Sequence, residues 1–168
     1  EGIRGKDKGN YSDRAKDIVV NASVPFLAND LLSKADGKKL KAAIMENTIG
    51  ASLLTVYYGF NQALKELGNR HYSTFVFDPS VKTQKDIFEN NRSDFSTRSF
   101  TFVDYSQIDA GLAPEGKSVG AVCCIDYPAD WESLNREEYN RMKSDVSDTF
   151  NERLEKVFPG FMEAIEYA

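Results

Sequence analysis

Two kinds of side chain in this sequence could do chemistry. Cys123 and Cys124 are adjacent thiols, and His71 is the single histidine. A redox pair normally has spacer residues between its cysteines and a helix N-terminus that lowers the thiol pKa, whereas these cysteines lie inside an apolar run. No nucleophile elbow accompanies His71, so a hydrolase triad has no support. A zinc site needs about four ligands, which one histidine and two adjacent cysteines do not supply. The sequence therefore predicts no complete catalytic centre and no metal site in this chain.

The charged residues indicate a solvated surface rather than a nucleic-acid partner. The chain has a formal net charge of −5, and its basic residues are interleaved with acidic ones. Nucleic-acid recognition needs clustered Lys and Arg, so we expect no such partner. With 41% apolar residues, including eleven Phe and eight Tyr, the 168 residues are enough for one domain with a core. Adjacent cysteines imply no disulfide framework, which fits a reducing compartment, and we predict a cytoplasmic location.

Apolar and alternating runs predict the strands that would position these residues. Strands are predicted at residues 17–23, 51–60, 72–77, 98–105 and 119–127. The run 51–60 is apolar at nearly every position, which predicts that both of its faces are covered. In the run 119–127 the period of two points Cys123 and Cys124 to opposite faces, so that one of them would pack in the core.

Helices are predicted between and after these strands, at residues 26–33, 37–48, 83–90, 135–157 and 161–167. Asn135 and Glu138 have the spacing of a capping box, and Pro159 and Gly160 end the long helix. The strands and helices do not alternate strictly. The sequence therefore predicts an α+β fold, with a mixed, largely antiparallel β-sheet and helices packed mainly on one face.

Four segments, in this order, resemble flavin-dependent phytoene desaturases and their carotenoid-isomerase and retinol-saturase relatives. They are AKDIVVNAS at 15–23, SLLTVYYGFNQALKELGNRHYSTFVF at 52–77, DAGLAPEGKSVGAVCCIDYPADW at 109–131 and REEYNRMKSDVSDTFNERLEKVFPGFMEAIEY at 136–167. The family patterns that they resemble include ADxVVxNA, the hairpin D-x-x-LAPEGK and the helix end LE-x-x-FPG-x-x-x-x-I. The resemblance extends over nearly the whole chain from about Gly2.

The resemblance implies a two-domain flavoprotein in which a substrate domain is inserted into a Rossmann-type FAD domain. Residues 1–23 would then be a partial FAD-domain segment and residues 24–168 the substrate-binding domain. Asn21, Ala22 and Ser23 would approach the flavin only in the whole protein. The fingerprint Gly-x-Gly-x-x-Gly, which binds the cofactor pyrophosphate, would lie before Glu1. The parent is therefore expected to bind FAD, whereas this part alone is expected to bind none and to be inactive.

The resemblance also implies that flavin hydride chemistry desaturates or isomerises an apolar polyene while the protein shapes an apolar tunnel. The candidate wall residues are Tyr57, Phe75, Phe77, Phe100, Phe102 and Tyr105, and for each of them core packing is the more frequent explanation. One alternative is a non-enzymatic module that binds an apolar ligand or another protein, and another is a small hydrolase that uses His71. Peripheral membrane association of the parent and self-association of an exposed sheet in this part are further expectations.

Overall fold

The computed structural model describes residues 3–4, 10–11, 14–44, 47, 50–108 and 111–168. The chain divides into two compact units, Glu1–Ile49 and Gly50–Ala168. The sequence-based boundary between residues 23 and 24 separates an FAD-domain segment from a substrate-binding domain. That assignment stays a prediction. Of its first segment, residues 1–2, 5–9 and 12–13 lie outside the described residues.

The described part of the first unit contains two very short strands and a helical segment. Its elements are β1 (Ile3–Arg4) and β2 (Asn10–Tyr11), which pair antiparallel, α1 (Val24–Phe26), a π-helical turn (Leu27–Leu31) and α2 (Lys34–Ile44). A side chain at Gly37 would meet the carbonyl oxygen of Ala28, so glycine permits this close approach of α2 to the preceding turn. The predicted end of this helix, at residues 45, 46 and 48, lies outside the described residues.

The strand predicted at residues 17–23 is wrong, because no strand forms between residues 14 and 23. Ile18 and Val19 are 71% and 95% exposed there. A β-branched run adopts a ladder only when a neighbouring strand pairs with it, and none of the described residues does so.

The second unit is built on a five-stranded sheet. Its strands are β3 (Ser52–Phe60), β4 (Ser73–Val76), β5 (Phe100–Asp104), β6 (Ser118–Asp126) and β7 (Ile165–Tyr167). The strand order is β4-β5-β6-β3-β7, and every neighbouring pair is antiparallel. Short 3₁₀ turns follow β3 at Leu64–Leu67 and β5 at Tyr105–Ile108. The predicted α+β class with a largely antiparallel sheet is therefore confirmed.

Helices cover one face of this sheet, as predicted. The described helices of the second unit are α3 (Gln84–Asn90), α4 (Ala129–Glu132), α5 (Arg136–Val157) and α6 (Phe161–Ala164), and the last three contribute side chains to the core on that face. The side chain of Asn135 accepts the N–H groups of Glu137 and Glu138, at 2.9 and 3.0 Å, and Glu138 completes the predicted capping box. The core contains α5 residues and strand aromatics, among them Val146, Phe150, Leu154, Tyr58, Phe60 and Phe102. None of the described helices has the length and apolar character needed to cross a membrane.

The helix predicted at residues 161–167 is only partly correct, since it ends at Ala164 and the chain continues as β7. This strand pairs with Gly59 and Phe60 of β3, a long-range contact that local spacing does not encode. Gly120 lies at the centre of the sheet, where a Cβ atom would come within 2.7 Å of the Val103 carbonyl oxygen on β5. Glycine is therefore required for the close packing of β6 beside β5.

A buried ion pair stabilises the C-terminal end of β6. The Arg98 guanidinium lies 2.9 Å from the Asp126 carboxylate, and both side chains are less than a tenth exposed. The same carboxylate accepts the indole N–H of Trp131 on α4 at 2.6 Å. Both oxygens of the Asp126 carboxylate accept a hydrogen bond, so the buried charge is compensated. The bond from Trp131 also links β6 to α4.

Candidate functional site

Within the described part of the second unit, the core helices pack on one face of the sheet only, and we call the other face the open face. Because opposed residues in a ladder share a face, the register assigns to it Leu53, Thr55, Tyr57, Ser73, Phe75, Thr101, Val103, Val119, Ala121, Cys123 and Ile125. None of these residues is charged. An uncharged, largely apolar sheet face of this kind is typical of a surface that contacts an apolar ligand or another protein.

The side chains of the open face form rows that run across the strands. One row is Phe75, Thr101, Cys123 and Thr55, which oppose one another on four neighbouring strands. Neighbouring strands are about 4.8 Å apart, so this row is about 14 Å long. The next row ends in Tyr57, which is 70% exposed, and Phe75 is 66% exposed. Each of these two rows therefore has a large exposed ring at one end, Phe75 on β4 and Tyr57 on β3. Smaller residues lie between these two ends.

Four of the six predicted wall residues lie on or beside the open face. Tyr57 and Phe75 belong to it, and the ring of Phe77 stacks 6.3 Å from that of Phe75 and is 52% exposed. Tyr105 follows β5 directly, and its ring contacts that of Tyr72 at 6.3 Å. The open face thus brings these four residues to one side of the sheet. Their contact with a substrate stays a prediction.

The other two predicted wall residues, Phe100 and Phe102, lie on the helix-covered face. They are 4% and 1% exposed. The Phe100 ring packs edge-on against Phe150 of α5 at 4.9 Å, and Phe102 packs against Phe161 at 5.4 Å. Core packing accounts for both side chains in this structure, and their contact with a substrate stays a prediction.

A few polar groups interrupt the open face. The Thr55 hydroxyl lies 3.8 Å from the Cys123 thiol. Burial, together with the nearby Cys123 thiol and the hydroxyls of Tyr72 and Tyr57, raises the pKa of the Tyr105 phenol, so this group stays protonated and can donate a hydrogen bond at neutral pH. Sequence reasoning missed Thr55 and Cys123 as site residues, although the period of two in their strands places them beside the predicted aromatics.

Of the three residues considered first for catalysis, Cys123 belongs to the open face and the other two do not. Cys123 and Cys124 point to opposite faces, as predicted, and Cys124 is buried. Burial raises the pKa of the Cys124 thiol to about 11, which leaves it unreactive at neutral pH. His71 is exposed beside β4. In the part of the chain that the structure describes, no group of three His, Cys, Asp or Glu residues could hold a metal ion.

The residues predicted to approach a flavin are exposed in the first unit. The Ser23 hydroxyl accepts the N–H of Phe26 at 3.3 Å and so caps α1, while Asn21 and Ala22 precede it in irregular chain. A dinucleotide cradle needs a glycine-rich turn between a strand and a helix, and the described part of this unit has no such turn. The role of Asn21, Ala22 and Ser23 toward a flavin stays a prediction.

Comparison with known proteins gives a partial match. Prolycopene isomerases 1 and 2, chloroplastic, of an Oncidium hybrid cultivar are each 31% identical to this chain over 94 residues, which is 54% of the chain and 16% of each relative. Over that stretch the chain is similar to prolycopene isomerases. A chloroplastic prolycopene isomerase of Arabidopsis thaliana is 36% identical over 61 residues, which is 36% of the chain and 10% of that relative. No family model and no solved structure matches the chain.

These matches bear on two of the predictions. The relatives are named prolycopene isomerases, which supports in coarse terms the resemblance found in the sequence. The cytoplasmic location is wrong on this comparison, since all three relatives are chloroplastic proteins. The absence of a disulfide framework indicated only a reducing compartment and did not distinguish the cytoplasm from other such compartments.

Proposed function

We propose that this chain is the substrate-binding part of an FAD-dependent oxidoreductase that isomerises or desaturates a carotenoid-like polyene. The open face would form one wall of the substrate site. The observation that carries the proposal is this uncharged apolar face on a sheet whose other face is fully used by the core. The partial similarity to prolycopene isomerases supports the choice of a polyene as the ligand.

The chemistry of a polyene fits the composition of the open face. A polyene hydrocarbon has no hydrogen-bonding groups, so it binds through apolar area and contact with aromatic rings. Tyr57, Phe75 and Leu53 together leave large apolar side chains exposed to water, at 70%, 66% and 63%. Covering each would contribute about 1–2 kcal/mol. Charged residues would oppose such a ligand, and the rows contain none.

In this proposal, the flavin is bound by the whole protein and not by this chain alone. The relatives are several times longer than the matched segment, and we place the FAD site in the part of such a protein that this match does not span. When bound, FAD would supply the hydride chemistry. The residues of this chain would hold the polyene against one wall and exclude water from it. Because all the matched relatives are chloroplastic, we propose a plastid location for the protein.

The thiol of Cys123 gives a direct test of where a polyene binds. It lies on the open face in the same row as Phe75, whereas Cys124 is buried on the opposite face. The rate of Cys123 alkylation by a maleimide would be followed by mass spectrometry, with β-carotene in detergent micelles or with the same micelles empty. We expect the carotenoid to slow Cys123 alkylation about tenfold and to leave the slow reaction of Cys124 unchanged.

Two matched variants separate binding at this face from a general detergent effect. Phe75→Ala should remove most of the protection of Cys123. Phe88→Ala removes a ring that is equally exposed, at 67%, but lies on α3 and not on the sheet, and it should leave the protection intact. Equal alkylation rates with and without carotenoid would refute the proposal and favour a module that uses this face to bind another protein.

A further inference from the structure

A groove runs along one edge of the sheet in the second unit, on the side of β3 that faces away from β6. It has a volume of about 990 Å³ and lies between β3 on one side and helices α4 and α5 on the other. We call it the edge groove. Six consecutive residues of β3, 52–57, line it, so the strand presents its backbone edge to the groove and not only one row of side chains. The helices contribute Trp131, Tyr139, Lys143, Val146, Asp148 and Asn151.

The backbone of β3 is only partly paired along this edge. Among the described residues, β7 pairs with β3 here, and it does so at Gly59 and Phe60 alone. Asn61, just after β3, donates its N–H to the Ala164 carbonyl across the same edge at 2.9 Å. Backbone groups alternate in direction along a strand, so every second residue before Asn61 faces this edge as well. The N–H and C=O groups of Leu53, Thr55 and Tyr57 therefore point into the edge groove.

A second observation points to a missing hydrogen-bond donor in the groove. The side-chain oxygen of Asn151 lies in the wall formed by α5, is buried, and has no hydrogen-bond partner among the described residues. Asn151 as a whole is 9% exposed. An unsatisfied buried amide oxygen costs about 1–3 kcal/mol, and a ligand that brings a donor would recover this cost. Asp148, one turn earlier on the same wall, also favours a donor over an acceptor.

We propose that the edge groove binds an extended polypeptide strand that runs antiparallel to β3 and continues the line of β7. This is strand addition to a sheet edge, in which main-chain hydrogen bonds give affinity and alternate side chains give selectivity. The existing ladder sets the direction, since Tyr167 lies opposite Gly59 and Ala168 already lines the groove. The proposal does not rest on the proposed carotenoid chemistry.

The register specifies the chemistry of the strand. About six residues in line with β7 would lie opposite Tyr57 to Ser52. Those opposite Tyr57, Thr55 and Leu53 would extend the open face and should be apolar. Those opposite Val56 and Leu54 would face α5, where Asn151 needs an N–H or O–H donor, so Ser, Thr or Asn is expected there.

The test lengthens the chain after Ala168 by the probe Val-Thr-Val-Thr-Val-Thr, whose Thr residues face α5 in this register. A chain lengthened by Thr-Val-Thr-Val-Thr-Val has the same composition with the two faces exchanged, and Gly-Ser-Gly-Ser-Gly-Ser has no strand preference. Amide hydrogen exchange would be measured by NMR. We expect the first probe to slow exchange at Leu53, Thr55 and Tyr57 about tenfold relative to the Gly-Ser chain. Leu54 and Val56 face β6 and should not change.

The face-exchanged probe and the variant Asn151→Leu test the role of the buried oxygen. Each should lose a large part of the added protection, because the donor or its acceptor is absent. Equal exchange at Leu53, Thr55 and Tyr57 in the Val-Thr and Gly-Ser chains would overturn the proposal. Protection that is already present in the unextended chain and increases with protein concentration would also overturn it, by assigning this edge to a second copy.

Discussion

The two faces of the sheet should differ sharply in their response to the same substitution. Phe102 is 1% exposed, and its ring centroid lies 5.4 Å from that of Phe161 and 6.0 Å from that of Phe158. Replacing it with Ala removes a buried ring and leaves a cavity, which costs about 3–5 kcal/mol. Phe75 is 66% exposed. Only about a third of its apolar surface is buried, so Phe75→Ala should cost about 0.5–1 kcal/mol.

Urea unfolding followed by far-UV circular dichroism measures both values. With a slope of about 2 kcal/mol/M, Phe102→Ala should lower the midpoint by about 2 M and Phe75→Ala by less than about 0.5 M. If Phe102→Ala does not fold, Phe102→Leu keeps the test open, with an expected cost of about 1–2 kcal/mol. The measurement is repeated at several protein concentrations. A Phe75→Ala cost above about 2 kcal/mol, independent of concentration, would refute the assignment of an uncovered face.

Two further substitutions test the polar groups of the core by the same urea titration. Asp126→Asn leaves the Arg98 guanidinium buried without its counter-ion and should cost about 3–5 kcal/mol, whereas Glu89→Gln, in the exposed pair with Lys85, should cost less than about 0.5 kcal/mol. Similar costs would mean that the inner pair is solvated. Tyr58→Phe removes a buried hydroxyl that has no partner in the described part of the chain and should raise stability by up to about 1 kcal/mol. A loss of stability would show that the hydroxyl is satisfied by bound water.

Local signals predicted much of the second unit. The alternation in β5 and β6 assigned each residue to its face, because the period of two depends only on the strand conformation. The capping box of Asn135 and Glu138 placed the start of α5, since all of its partners lie within one turn. The same reasoning could not decide that Phe100 and Phe102 face the core while Tyr57 and Phe75 do not. That choice depends on which face α5 covers.

The errors arose where pairing over long sequence distances decides the structure. The run 17–23 has the composition of a strand but forms none in the described structure, because no partner lies beside it. Residues 165–167 have helical spacing but pair with β3, more than a hundred positions earlier. Propensity is a weak indicator in both cases, and a tertiary contact or its absence outweighs it.

The apolar sequence of β3 shows how the limits of sequence-based prediction bear on function. Its apolar residues at nearly every position predicted cover on both faces, yet the structure covers the side of Tyr58 and Phe60 and leaves Leu53 and Tyr57 exposed. Solvent-facing strands ordinarily alternate apolar and polar residues, so a continuous apolar run is unexplained by the fold of the second unit alone. Selection for solubility would favour polar residues at positions 53 and 57 if water were their normal environment. Their apolar character is accounted for if a ligand covers this face, and the carotenoid protection of Cys123 tests that explanation.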